Sequence, residues 1–239
     1  IIFARMAIRL CVLATLASEI AAYPLVASWK PSVTQFTGPD RKRFLHGLCS
    51  NDINALPPSG VKDATVLDGR GNTKSLLMVV NDDERLLVLG PEGSGSDQYA
   101  FFDKYVFPAD DVAVADCSGS FCSCYEIVGE QAGEVLTSSN VLGSDAPQLL
   151  PAAGSAVRVQ LADDVGGSAL LFGQGSLGGS AARPSYALLV EGDDEVCEAS
   201  VSAALEGAAA ALGGGAATSY EALRIRCGRP QAGHEFGEA

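Results

Sequence analysis

Basic charge is scarce in this sequence. Sixteen lysines and arginines stand against 29 aspartates and glutamates, a formal net charge of −13 over 239 residues. No Lys/Arg-rich run offsets that excess. A protein that neutralises nucleic-acid phosphates needs a basic face, so nucleic acid is disfavoured as the main partner. An anionic small ligand would have to be held by a few placed arginines. Histidine is nearly absent, with two residues, His46 and His234. Metal-ligand spacing is missing too: the seven cysteines include no C-x-x-C pair, so no metal site is expected. The odd cysteine count, in a chain too long to need disulfide staples, points to reduced thiols. No G-x-S-x-G elbow occurs, which removes support for a serine hydrolase. No apolar run is long enough to span a bilayer.

What is present is apolar. Hydrophobic residues make up 47% of the chain, enough for a substantial core in one large domain or two smaller ones. The first residue is not methionine, which suggests a fragment. From Met6, "MAIRLCVLATLASEIAAYPL" has Arg9 and a short apolar run from Leu10 to Ala17, with Glu19 just beyond it. It reads equally as a leader core or as a first element of the fold.

Strand and helix patterns then alternate. "PSVTQFTGPD" reads as a strand, with Asp40 placed to cap the helix "RKRFLHGLCS". Strands are predicted from Ala64, Ser75 and Arg85, joined by turns at Asp68–Asn72 and Asn81–Asp83. "QYAFFDKYVF" reads as a helix stopped by Pro108. "DDVAVADCS" and "FCSCYEIVG" read as a strand pair, with the period of two placing Cys122 and Cys124 on one face as small buried hydrophobes. A helix around Glu130–Leu136 follows, then strands in "SAVRVQLA", "GSALLFG" and "SYALLVEG". A long helix starts near Asp193 or Asp194 and stops at Gly213. A short helix around Leu223 breaks at Gly228. The absence of strict βαβ alternation predicts an α+β fold with mixed, mainly antiparallel sheets and flanking helices.

Among short motifs, "GQGSLG" (Gly173–Gly178) matches G-x-G-x-x-G, but Gly179 and Pro184 break the helix a dinucleotide site needs, so it is read as a glycine-rich turn. "GPEGSGSDQ" lacks the Lys and Ser/Thr of a phosphate loop. His46, between apolar neighbours, reads as a packing or capping residue. His234 lies in a loop open to ligand contact or to none. In "SNDI", Asn51 and Asp52 either turn the backbone or present an amide and a carboxylate to a heteroaromatic ring.

Four segments occur together in one order: "TGPDRKRFLHGLCSNDI", "VLDGRGNTKSLLMVV", "DKYVFPADDVAVAD" and "EALRIRCGRPQAGHEF". In that order and spacing the chain resembles the YgfZ-type folate-binding proteins, relatives of the glycine-cleavage T-protein (aminomethyltransferase), and is most similar to the plastid branch. The resemblance covers about residues 30–239. It implies the first two subdomains of a three-subdomain ring around a folate pocket. The boundaries expected are an N-terminal segment at 1–29, a first subdomain at 30–116 and a second at 117–239. The family continues into a K-G-C-Y-x-G-Q-E segment and a C-terminal barrel that this sequence does not contain.

The resemblance further implies tetrahydrofolate or a derivative as cofactor and iron–sulfur client or assembly proteins as partners. It implies an accessory role in iron–sulfur protein maturation or repair, with a link to RNA modification as a variant. The expected place is an organelle, the chloroplast ahead of the mitochondrion. The alternatives are a folate-dependent one-carbon transferase and a non-catalytic relative that binds a partner protein. Asn51, Asp52 or Glu235 would edge the pterin ring, and Arg70 or Arg224 would take the glutamate tail. Simple solvation of Arg70 and a surface ion pair at Arg224 remain open. The family's catalytic Asp corresponds to Ser75 or Leu76, so no catalytic residue is assigned.

Overall fold

The structure, a computed structural model, describes residues 23–144, 150–174, 185–192, 195–216, 220–226 and 228–230. Two sheets lie face to face, each covered on its outer side by helices. The five-stranded sheet holds β2 (Ser32–Thr37), β3 (Val61–Leu67), β4 (Thr73–Asp82), β5 (Arg85–Gly90) and β6 (Ala113–Asp116), in the order β3-β4-β5-β2-β6. The six-stranded sheet holds β1 (Leu25–Trp29), β7 (Phe121–Val128), β8 (Ser155–Gln160), β9 (Ser168–Gln174), β10 (Ser185–Glu191) and β11 (Gly215–Ala216). Its order is β11-β1-β7-β10-β9-β8, antiparallel except at β1-β11. The expected α+β fold with mainly antiparallel sheets is therefore found.

The four-layer arrangement explains the strands that read as unbroken apolar runs, because both faces are buried. On β4, Leu77 and Val79 pack outward with Phe44, Leu45 and Phe102, from α1 (Arg41–His46) and α2 (Gly95–Asp103). Met78 and Val80 point the other way, into the seam between the sheets, against Cys124, Leu170, Phe172 and Leu189. On the far side of the six-stranded sheet, α3 (Ala132–Ser138) and α4 (Glu195–Ala211) cover Tyr125, Ile127, Leu171 and Leu188. At the end of α4, Gly213 takes φ +80° and the backbone N–H of Gly214 returns to Ala209, a left-handed helix stop. A last helix, α5 (Tyr220–Arg226), lays Leu223 on Ala27 and Val128.

Residues 25–29 form β1 beside β7, in keeping with the reading of this region as a first element of the fold. Several local expectations change. β6 and β7 do not pair with each other. β6 bonds β2 at the edge of one sheet, and β7 lies inside the other between β1 and β10. Burial separates them: β6 is largely exposed and suits an edge, whereas all eight residues of β7 are buried. The chain changes sheets through a short 3₁₀ turn at Ser118–Ser120.

Cys122 and Cys124 do not share a face. The register of β7 against β10 slips between Ser123 and Phe121, and this bulge turns Cys122 toward the helices while Cys124 faces the seam. No disulfide joins the described cysteines to one another. Asp40 stands at the start of α1, but its carboxylate accepts from Arg43 and from the Asp111 N–H rather than capping the helix. His46 is exposed rather than packed, with Nδ1 3.4 Å from Asp52 Oδ1.

Just before α1, Gly38 has φ +96°, and a Cβ there would lie 2.3 Å from the Asp111 carbonyl oxygen. Gly38→Ala is therefore expected to destabilise by about 1–3 kcal/mol in urea melts, through backbone strain and displacement of the segment before β6.

Candidate functional site

The seam between the sheets is apolar in the middle and charged at two ends. At one end, Arg85 donates to Asp82 (2.8 Å), Gln35 (3.1 Å) and Glu191 (3.0 Å), while Arg158 donates to Asp82 (2.7 Å) and to Glu191. Arg85 and Asp82 belong to one sheet, Arg158 and Glu191 to the other, so the four groups clamp the layers together. Burial pushes the Glu191 carboxyl up, but Ser168, Arg158 and Arg85 outweigh it and hold it below its ordinary value.

A cavity of about 550 Å³ opens beside this clamp, lined by Thr37, Gly38, Asp83, Glu84 and three of the clamp residues, Asp82, Arg85 and Arg158. Its arginines are already matched by carboxylates, so it offers little to an anion. Glu191→Gln is expected to lower stability by about 1–2 kcal/mol at neutral pH, because two charge-assisted bonds weaken. A carboxyl held low in the fold contributes above its unfolded pKa and loses that contribution as pH falls. The deficit should shrink in acid, and also in high salt. Urea melts across pH and salt measure both.

The other end of the seam is less balanced. Beyond the bulge, Cys124, Glu126 and Val128 point inward in turn. Cys124 belongs to the central seam cluster and Val128 to the patch under α5, so Glu126 sits between them. Its strand neighbours are Ala27 on β1 and Ala187 on β10, both small. Glu126 is 1% exposed, and among the described residues its Oε2 has no hydrogen-bond partner. Burial drives its carboxyl up to about 7, against the pull of Arg229 and the Trp29 indole, with Asp63 adding to the rise.

Asp63 reaches the seam from β3 and accepts a 3.1 Å bond from Arg229 Nη2. Arg229 is held in turn by Arg224, whose Nη1 donates to the Arg229 carbonyl (2.9 Å) while its own carbonyl accepts the Arg229 N–H (2.9 Å). The rest of the Arg224 guanidinium forks onto both oxygens of Glu221, at 2.7 and 2.6 Å. Exposure falls from the Asp63 side chain, 39% open, through Arg229 to the enclosed Glu126. The arrangement puts a buried carboxyl at the bottom and the Asp63–Arg229 pair at the mouth.

The residues singled out from sequence fall in different places. Asn51 touches this end of the seam: its amide donates to the Asp63 carbonyl (2.8 Å), and its oxygen accepts the Asp52 N–H. Asp52 is exposed and turned to Ala55 and His46. Arg70 lies elsewhere, on the exposed β3–β4 turn that Asp68 ties by accepting from the N–H groups of Arg70 and Asn72. Arg224 is not a surface ion pair, since its side chain is 2% exposed. Glu235 and His234, the 175–178 part of "GQGSLG", Asp193, Asp194 and residues 1–22 lie outside the described residues.

Ser75 and Leu76 carry no carboxylate. Leu76 shares the seam face of β4 with Met78 and Val80, and the Ser75 hydroxyl is buried without a partner among the described residues. Sequence reasoning did not single out Glu126 or Asp63. The signal for Glu126 was a lone carboxylate within the otherwise uncharged strand "FCSCYEIV". Among the described residues no cluster of metal-ligating side chains occurs, and no helix is long and apolar enough to cross a membrane.

Two face-to-face, mainly antiparallel sheets with outer helices, and a seam that is apolar in the middle and charged at its ends, define an α+β architecture. The chain is similar to the glycine cleavage system aminomethyltransferase T from Bartonella henselae, with a TM-score of 0.61 and 16% identity over 82% of this chain. It spans about half of that protein, 48% of its length. No family model matches the chain, and no curated protein matches it either. At that identity the likeness shows the fold.

Proposed function

We propose that the chain binds a reduced folate, tetrahydrofolate or a derivative, at the charged end of the inter-sheet seam. The observation that carries this reading is the meeting of Asn51, Asp63, Arg224, Arg229 and the buried Glu126 at one end of the seam in a T-protein-like fold. A pterin presents ring N–H donors and a carbonyl at its edge, and a carboxyl, an amide and a guanidinium are complementary to them. Asp63 and Arg229 orient the polar edge, and the apolar seam of Met78, Cys124 and Leu189 excludes water from its plane.

On this reading the protein is a YgfZ-type accessory factor of the plastid kind, supporting iron–sulfur proteins in an organelle; that process role rests on the four sequence segments. Leu76 and Ser75, in place of a catalytic Asp, favour binding without turnover. One observation favours the alternative, a one-carbon transferase: Glu126 supplies a proton-exchanging carboxyl from the opposite sheet.

Calorimetric titration of tetrahydrofolate into the full chain tests the common part. Saturable binding is expected, and none by the folded protein would sink it. Folate consumption with a one-carbon donor would move the transferase reading to first place. Normal iron–sulfur enzyme activities after depletion would remove the accessory role.

A further inference from the structure

Glu126 stands out because the fold gives it so little. A fully buried carboxyl ordinarily has both oxygens hydrogen-bonded or a cation in contact. Here one oxygen lacks a partner among the described residues, and Arg229 is engaged with Asp63. The charged and titratable groups that face it come from every element around it. Among the described residues they are Asp63 from β3, Arg229 after α5 and the Cys124 thiol from its own strand, which burial keeps protonated, while the Trp29 indole from β1 adds a neutral donor. Its strand neighbours, Ala27 and Ala187, are small and bring no side-chain donor to it. The buried Arg224 is matched already, by Glu221.

The charge at this end, Asp63 and Glu126 against Arg229, suits hydrogen-bond donors rather than an anion. The glutamate tail of a folate therefore belongs elsewhere, and the donor-rich ring belongs here.

We propose that Glu126 is the ring-reading residue of this site: its carboxyl, one oxygen of which lacks a partner among the described residues, accepts the N–H donors of an aminopyrimidine edge and releases its own proton to solvent as the ring enters. The inference rests on the folate reading above. The step balances simply. The neutral acid loses one proton to the buffer, the ring keeps its protons, and the resulting carboxylate accepts from the ring amide N–H and the exocyclic amine. A carboxylate with two donors in line is worth more in this enclosed place than in water. That gain offsets the burial that keeps the empty site protonated near neutral pH, where Glu126 titrates at about 7. Binding is then proton-linked and selective: a ring with its donor edge blocked by alkylation cannot charge the carboxyl.

The test is calorimetry of tetrahydrofolate with the full chain from pH 6 to pH 8, in two buffers of different ionisation enthalpy. Expected are about tenfold weaker binding at pH 6 than at pH 8 and release of about half a proton near pH 7. Glu126→Gln should abolish both the proton release and the pH dependence, with thermal melting showing that it folds.

Wild-type binding that is independent of pH and releases no proton overturns this inference and leaves the folate reading standing. A folded Glu126→Gln variant that keeps the wild-type pH profile does the same. No binding by folded wild type at any pH overturns both. The proton count is read on the wild type, so it does not depend on the variant folding.

Discussion

Replacing Glu126 with glutamine is expected to stabilise the empty protein at pH 8 while leaving it nearly unchanged at pH 4. The carboxyl titrates at about 7 in the fold, against an ordinary value of 4.5. Below the lower value both folded and unfolded chains hold the proton, and burial carries no charge penalty. Between the two values the unfolded chain ionises first, so stability falls as pH rises. Above about 7 the folded carboxyl ionises as well and the penalty levels off at about 3 kcal/mol. Glutamine removes the charge but brings an amide that also needs partners, so the net gain at pH 8 should be about 1–3 kcal/mol. For a chain of this size that raises the midpoint by roughly 2–10 °C.

Thermal and urea melts of both proteins from pH 4 to pH 8 give the difference curve, in which contributions from other groups such as Glu191 cancel. A flat difference would mean that Glu126 is solvated in solution. A rising one that saturates near pH 7 marks a group kept at a cost to stability, as expected where a ligand and not the fold satisfies it.

The strands and the sheet type were readable because hydrophobic periodicity and turn residues are local properties. "VLDGRGNTK" announces its hairpin through Asp68, whose carboxylate makes the turn bonds the sequence suggests. What failed was non-local. The pairing of β6 with β7 looked natural because they are adjacent in sequence, yet the 3₁₀ turn between them hands the chain from one sheet to the other. The bulge that separates Cys122 from Cys124 depends on register against β10, a strand distant in sequence, and no period-two reading can contain it.

The candidate site followed the same rule. Arg224 was visible as an arginine of interest, but whether it meets solvent, a ligand or Glu221 depends on how α5 docks. Asp63 and Glu126 escaped notice because each lies on a different sheet, and neither belongs to a motif. Only the packing of the two layers makes them neighbours of Arg229.

Arg224→Met should cost about 2–3 kcal/mol and move the titration of Glu126 upward. The guanidinium makes charge-assisted bonds to Glu221 and to the Arg229 carbonyl. Methionine fills part of the space but supplies no donors, so the carbonyl is left without this one. Glu221, whose side chain is 45% exposed, regains water, which keeps the loss below that of a fully buried broken pair. The second effect travels through the backbone. Arg224 fixes the Arg229 main chain, and with it the guanidinium that bonds Asp63 and draws Glu126 down. Loosening that strap weakens the pull, so the pH at which the Glu126 penalty saturates should rise above about 7.

A double-mutant cycle of Arg224→Met with Glu126→Gln, followed by melts across pH, should show coupling that depends on pH. Coupling that is absent, or the same at pH 5 and pH 8, would show that Arg229 holds its place without Arg224. The cycle also decides how a loss of folate affinity in an Arg224 variant is understood. If the titration of Glu126 moves as expected, weakened binding is transmitted through Arg229 and the ring end of the seam. If it does not move and binding is still weakened, Arg224 touches the ligand itself. Arg229→Met should then leave most of the affinity intact.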